Sequence, residues 1–130
     1  MILYVNTTDL NKITLALVPQ AGKVIKATHK IPYHESHTTL SHIDKFFKAN
    51  KIIRSLLSPT PLALSAIIFC SGPGSFTGIR VAASLCQALA FAWSIPLIAI
   101  KKEKVPKNLK DLYKVRSAKK LNINYGKPAI

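Results

Sequence analysis

The sequence predicts a mixed-sheet α/β domain with the order strand, strand, strand, helix, strand, helix, strand. Three observations carry that reading. Short apolar segments joined by tight-turn residues fill the first thirty positions, as in an antiparallel meander. An apolar run, Ala63 to Cys70, passes through a glycine-rich stretch into Val81 to Trp93, thirteen residues with no charge and no helix breaker. Apolar residues make up 48% of 130 positions, enough for one packed domain and too much for a disordered chain.

Each element has a local reason. Ile2 to Val5 reads as a short buried strand that ends in the turn Asn6-Thr7-Thr8-Asp9. Lys12 to Val18 alternates, with Ile13, Leu15 and Leu17 on one face. Pro19-Gln20-Ala21-Gly22 turns the chain into a third strand, Lys23 to Lys30, centred on Val24 and Ile25. Ser36 to Asn50 carries Leu40, Ile43, Phe46 and Phe47 at helical spacing, with Ser36 as its cap. Lys51 to Leu57 continues that helix or forms a second one, and Ser58-Pro59-Thr60-Pro61 breaks it. After the Val81–Trp93 helix, a turn at Ser94 leads to a strand from Pro96 to Ile100. The domain ends near Ile100. Residues 101–130 hold ten Lys and Arg against two acidic residues, a net +8, with few apolar side chains; they read as a basic tail without a core of its own.

The whole chain carries a formal charge of +14, from 19 Lys and Arg against five Asp and Glu. That excess fits an acidic partner, either nucleic acid or an acidic protein face, and equally fits solvated lysines in a basic proteome. Cys70 and Cys86 both lie in apolar runs, which makes them free buried thiols of a reducing, cytoplasmic compartment. Met1 to Leu10 lacks the pattern of a signal peptide. Val81 to Ile100 is long enough to span a bilayer, but Gln87, Ser94 and Pro96 interrupt it, so no membrane role is expected.

The stretch Ser71-Gly72-Pro73-Gly74-Ser75-Phe76-Thr77-Gly78-Ile79-Arg80 is the most distinctive. Its glycines and proline permit a tight turn, and Ser75 or Thr77 can cap the following helix. Backbone N–H groups at a helix start suit an anion, which makes Ser71, Gly72, Gly74, Ser75, Thr77, Gly78 and Arg80 candidate anion-binding residues. A tight turn that binds nothing is the other reading. No Lys-Ser or Lys-Thr follows the last glycine, so this is not a Walker loop. Gly74 to Gly78 only superficially matches the Gly-x-Ser-x-Gly of hydrolases, with Phe76 at the middle position, and no histidine follows Ser75 anywhere in the chain.

In the helix beyond, Gly78, Ala82, Cys86 and Ala90 recur every four residues as a stripe of small side chains, which admits close helix contact. Val81, Leu85, Ala88 and Ala92 lie on the opposite side. A helix apolar all round must be covered all round, by the sheet on one side and by a domain or partner on the other. Phosphoryl transfer needs carboxylates, and the chain has only Asp9, Glu35, Asp44, Glu103 and Asp111; Asp9 reads as a turn residue. His34, Glu35, His37 and His42 have spacing that can suit zinc, but no cysteine lies nearby, and a helix-start role for His37 fits them better. No catalytic residue, metal or cofactor is expected.

Ile2 to Thr8, the His37-Thr38 helix start, the block Ser71 to Arg80 and the Pro96 strand together resemble the TsaB (YeaZ) family, over about residues 1–100. The resemblance implies the actin-like ATPase, or ribonuclease H-like, superfold: residues 1–100 form an N-terminal-type lobe of mixed five-stranded sheet and helices, and 101–130 form a basic tail or a remnant of the second lobe. It further implies a non-catalytic subunit that supports a TsaD transferase paralogue in placing a threonylcarbamoyl group on an adenosine of tRNA, together with a TsaE ATPase. The family packs the two corresponding helices against those of a second subunit. On this chain that assigns an interface to Leu40, Ile43 and Phe47 with Gly78, Ala82, Cys86 and Ala90; an uncovered apolar patch seeks any match, so a homodimer through the same surface is a further option. Asn6 stands where the family's first strand typically ends in Asp, and the second lobe is nearly absent; both argue against independent ATP hydrolysis. Peptidase activity finds no support. A basic RNA-binding module that uses the tail, and a weak nucleotide-binding protein, are the alternative readings.

Overall fold

The computed structural model describes residues 1–9, 11–30, 39–49, 64–74 and 76–119. Its regular elements are β1 (Ile2–Asn6), β2 (Lys12–Val18), β3 (Ile25–Lys30), α1 (Thr39–Ala49), β4 (Ala66–Gly72), α2 (Phe76–Trp93), β5 (Leu97–Lys101) and α3 (Leu112–Lys119), with two short 3-10 turns between β5 and α3. The order through β5 is the expected one. Ser36, His34, Glu35, His37, the 51–61 stretch, Ser75 and residues 120–130 lie outside the described residues.

One sheet holds all five strands in the order β3-β2-β1-β4-β5. β1 and β2 pair antiparallel, Ile2 opposite Val18, as do β2 and β3, Lys12 opposite Lys30. β4 lies parallel between β1 and β5, and its register slips between Cys70 and Gly72, where the strand turns into the glycine loop. β1 and β4 are buried on both faces, which their near-continuous apolar sequence requires of central strands.

The first face of the sheet, built on Leu3, Val5, Ile13, Leu15, Leu17, Ile67 and Phe69, packs under α1 and α2. Phe47 of α1 meets Trp93 of α2 with ring centroids 6.1 Å apart. The second face carries Ile2, Tyr4, Ala16, Val18, Ile68, Ile98 and Ile100. That much apolar surface needs a cover, and it is supplied from beyond residue 100. Leu112 is fully buried there, Val105, Leu109, Tyr113 and Val115 pack around it, and the Tyr113 hydroxyl donates to the Val18 carbonyl at 3.1 Å. Among the described residues, those after β5 complete the core of the sheet's second face. Burying Leu112 alone is worth about 1.5–3 kcal/mol.

α2 ends at Ser94, which adopts the left-handed region at φ 55, with the Ile95 amide donating to the Ala90 carbonyl at 3.0 Å. That is a left-handed helix C-terminus, and it aims the chain back into β5. Among the described residues no helix is long and apolar enough to cross a membrane.

Candidate functional site

The glycine loop, the end of β1 and the start of α2 meet at one place. β1 ends in a turn built by Asn6. Its Oδ1 accepts from the Thr8 amide at 2.9 Å and the Thr8 hydroxyl at 2.7 Å, and its Nδ2 donates to the Tyr4 hydroxyl at 3.2 Å. This is an Asx-type turn, in which the side chain does the work of a backbone acceptor. Thr7 then donates its hydroxyl to the Gly78 carbonyl at 2.9 Å, fastening the turn to the first turn of α2.

The loop lies directly on that turn. A Cβ added to Gly74 would stand 2.6 Å from the Thr8 Cβ and 2.8 Å from its Cα, and would also strike the Thr8 carbonyl oxygen. Glycine is demanded there by backbone-on-backbone approach. Gly72 takes φ +114, and a Cβ there would sit 3.1 Å from Ile79 Cδ1. The Ser71 hydroxyl donates to the Ile100 carbonyl at 3.2 Å, tying the loop to β5. Of the residues considered for an anion, Ser71, Gly72, Gly74 and Gly78 thus have packing or hydrogen-bonding duties inside the chain, and Arg80 is exposed. The Thr77 backbone is helical.

The ionisable groups around this place are quiet. Burial, with the Cys70 side chain beside it, pushes the Tyr4 phenol up to about 12, against the lowering effect of Asn6. Burial alone pushes the Cys86 thiol up to about 12. Both stay protonated at neutral pH and are poor nucleophiles. Asp9 is exposed and ion-paired to Lys12 at 3.5 Å and Lys102 at 3.7 Å. Among the described residues no three His, Cys, Asp or Glu side chains cluster as a metal site would need. His42 packs against His29 with ring centroids 5.2 Å apart, and burial, then His29, then Lys45 lower its pKa.

The interface expected on α1 and α2 needs correction. Ile43, Phe47, Ala82, Cys86 and Ala90 are at most 1% exposed, and all belong to the chain's own first core. Ala82, Cys86 and Ala90 of the small-residue stripe bring α2 close to its own sheet and to α1 and are covered within the chain. Leu40, 43% exposed, and the partly exposed Gly78 are the two that reach the surface. The outward side of α2 is the other one: Ser84, Ala88, Phe91 and Ala92 are exposed, Val81 and Leu85 partly so, and Phe91 is 74% exposed. Phe91 escaped the sequence reading. Its spacing of three from Ala88 was the available signal.

Comparisons with known proteins agree with one another. A family model described as TsaD, tRNA N6-adenosine threonylcarbamoyltransferase, matches residues 47–105. The protein called tRNA threonylcarbamoyladenosine biosynthesis protein TsaB is 40% identical over 52 residues in Buchnera aphidicola subsp. Acyrthosiphon pisum, covering 38% of this chain and 24% of that protein. In Bacillus subtilis it is 38% identical over 56 residues, covering 41% and 24%. In Haemophilus influenzae it is 44% identical over 52 residues, covering 38% and 22%. Among solved structures, YeaZ from Pseudomonas aeruginosa superposes with a TM-score of 0.63 at 28% identity, over 77% of this chain and 43% of that one. A second, described as an uncharacterized protein with similarity to peptidase YeaZ from Pseudomonas aeruginosa, gives a TM-score of 0.65 at 24% identity, over 93% of this chain and 48% of that one, and bears on the fold alone. The matches cover about a quarter of the curated relatives' length and under half of each solved structure. The mixed five-stranded sheet with its helices is the actin-like, ribonuclease H-like lobe that the resemblance implied.

Proposed function

We propose that this chain, a TsaB/YeaZ-family protein by its curated relatives and structural neighbours, is a non-catalytic subunit of the tRNA threonylcarbamoyladenosine modification assembly that pairs with a TsaD-type transferase and supports it. The observation that carries the reading is the exposed apolar side of α2, with Phe91 in its last turn. Apolar patches of this kind are the usual sites of protein pairing. A TsaE-type ATPase completes the assembly in the cytoplasm, and in the absence of the transferase a second copy covers the same face.

A supporting rather than catalytic role has its own motive. Asn6 is spent on the Asx-type turn, and its partner Tyr4 is held protonated. Phosphoryl transfer draws on carboxylates that hold metal or orient water, and the one acid of this turn, Asp9, is paired to two lysines. A second, additive role in meeting tRNA is favoured by the exposed lysines at the end of β5 and after it, Lys101, Lys102, Lys104, Lys107 and Lys114.

The test is the mass in solution of the chain mixed with a TsaD-type transferase. The parent chain raises the transferase to the mass of a pair. Phe91→Glu, which alters a surface side chain, leaves the transferase at its own mass, because losing one buried aromatic anchor of an interface costs about 2 kcal/mol or more, roughly thirtyfold in affinity. Pairing of Phe91→Glu as tight as the parent's, or no pairing by either, refutes the reading.

A further inference from the structure

We propose that the solvent face of the β2–β3 hairpin, with Lys102 beside it, binds the phosphodiester backbone of an RNA. This deepens the RNA role suggested above by adding a surface some seventy positions away from the stretch after β5. Ile13, Leu15 and Leu17 of β2 face the first core, so Lys12 and Thr14 face the other way. The ladder sets Lys12 opposite Lys30, Thr14 opposite Thr28 and Ala16 opposite Lys26. Three lysines and two threonines therefore share one face of two adjacent strands, with the threonine hydroxyls 3.4 Å apart.

The cover supplied by α3 stops short of this end of the hairpin. Tyr113 reaches Val18, whereas Lys12, Lys26, Thr28 and Lys30 are exposed. Asp9 joins the hairpin to the stretch after β5, because its carboxylate holds both Lys12 and Lys102. Asp9 thus pairs with two of these four lysines, Lys12 and Lys102. Like charges directly opposite on a ladder destabilise it, and Lys12 with Lys30 is such a pair; a bound polyanion removes that repulsion. Lysines on an edge strand also deter strand pairing between chains, which accounts for Lys26 and Lys30 on β3. It does not account for Lys12, on a strand with neighbours on both sides, or for Lys102. An RNA fits better than a membrane, since membrane-surface binding couples basic residues to apolar ones that insert. This face offers hydroxyls instead, and the exposed Ile25, opposite Leu17, points to the other side of the sheet.

The experiment measures binding of the full chain to a fluorescently labelled RNA stem-loop by anisotropy across a salt series. Lys12→Gln with Lys30→Gln, and separately Lys26→Gln, are compared with Lys45→Gln on α1, against the opposite face. Each hairpin lysine that meets a phosphate accounts for about 0.7–0.9 of the slope of log affinity on log salt, so its removal weakens binding roughly five- to eightfold at about 0.1 M salt. Lys45→Gln changes neither slope nor affinity. Hairpin variants with the parent's slope and affinity overturn the proposal. If in that case Lys104→Gln with Lys107→Gln still weakens binding, the RNA role stays with the stretch after β5 and the hairpin has none. Binding to phosphatidylserine vesicles without binding to RNA also overturns it. Transferase pairing by the hairpin variants, measured in parallel, is unchanged, because α2 lies on the other face.

Discussion

Replacing Ala82 by Glu strongly destabilises this chain, and the effect decides which side of α2 is free to meet a partner. Ala82 is 1% exposed and packs in the core that holds Ile43, Cys86 and Ala90. A glutamate there places a carboxyl group among hydrocarbon with no acid–base partner. Even protonated, an unbonded polar group of that kind costs about 1–3 kcal/mol by mutational measure. Forcing four further heavy atoms into a close-packed site adds about 1–3 kcal/mol. Together these reach roughly 2–6 kcal/mol, against a total stability of about 5–15 kcal/mol for a domain. At about 3–6 °C per kcal/mol, the midpoint falls by roughly 10–30 °C. Phe91→Glu is the counterpart. With Phe91 74% exposed, about a quarter of the roughly 1.5–3 kcal/mol that full burial is worth is at stake, so its midpoint moves by a few degrees. Thermal melts followed by circular dichroism, run on the parent and both variants, make the comparison. An Ala82→Glu chain that melts within a few degrees of the parent refutes the reasoning, because the small-residue stripe would then face outward and the pairing surface would return to Gly78, Ala82, Cys86 and Ala90.

Two further expectations concern the loop and the helix α1. Gly74→Ala costs about 1–3 kcal/mol or more in urea unfolding, because the new methyl would lie 2.6 Å from the Thr8 Cβ and the obstacle is largely backbone; a cost below about 0.5 kcal/mol means that the loop does not rest on the β1 turn. Burial, His29 and Lys45 hold the His42 pKa below its ordinary 6.5. The folded chain therefore binds a proton less readily than the unfolded one. The contribution of this group is whole above 6.5 and is lost as pH falls from there through the folded pKa. Unfolding measured at about pH 7.5 and about pH 5.5 shows a smaller loss on acidification for His42→Gln than for the parent, and an equal loss removes His42 as its source.

Much of the architecture was legible in local pattern. The alternation of Ile13, Leu15 and Leu17 announced β2 and its buried face, and the apolar run before Ser71 announced a buried strand. The uncharged run to Trp93 announced α2, and its end at Ser94 was marked by the return to a short strand. The Gly-rich block between β4 and α2 was visible as a tight turn, because glycine and proline restrict or release the backbone wherever they stand. Such features depend on neighbours within a few positions, and a sequence displays those neighbours directly.

What the sequence determined by itself, then, is the set of elements through β5, their order and the apolar surfaces that had to be buried. Tertiary structure decided what each surface was buried against. α2 is apolar on every side, so periodicity alone held no information about which side meets the sheet. Packing selected the stripe of Ala82, Cys86 and Ala90 because small side chains let the helix axis approach β1 and β4, and that left Phe91 outside. Asn6 read as a missing carboxylate, whereas its oxygen closes the turn on which Gly74 rests. Leu112 read as one apolar residue in a basic tail. It is buried because Ile2, Tyr4, Ile68 and Ile98, far away in the chain, form a face that had to be covered, and the value of an apolar side chain is set by the surface it meets rather than by the residues beside it.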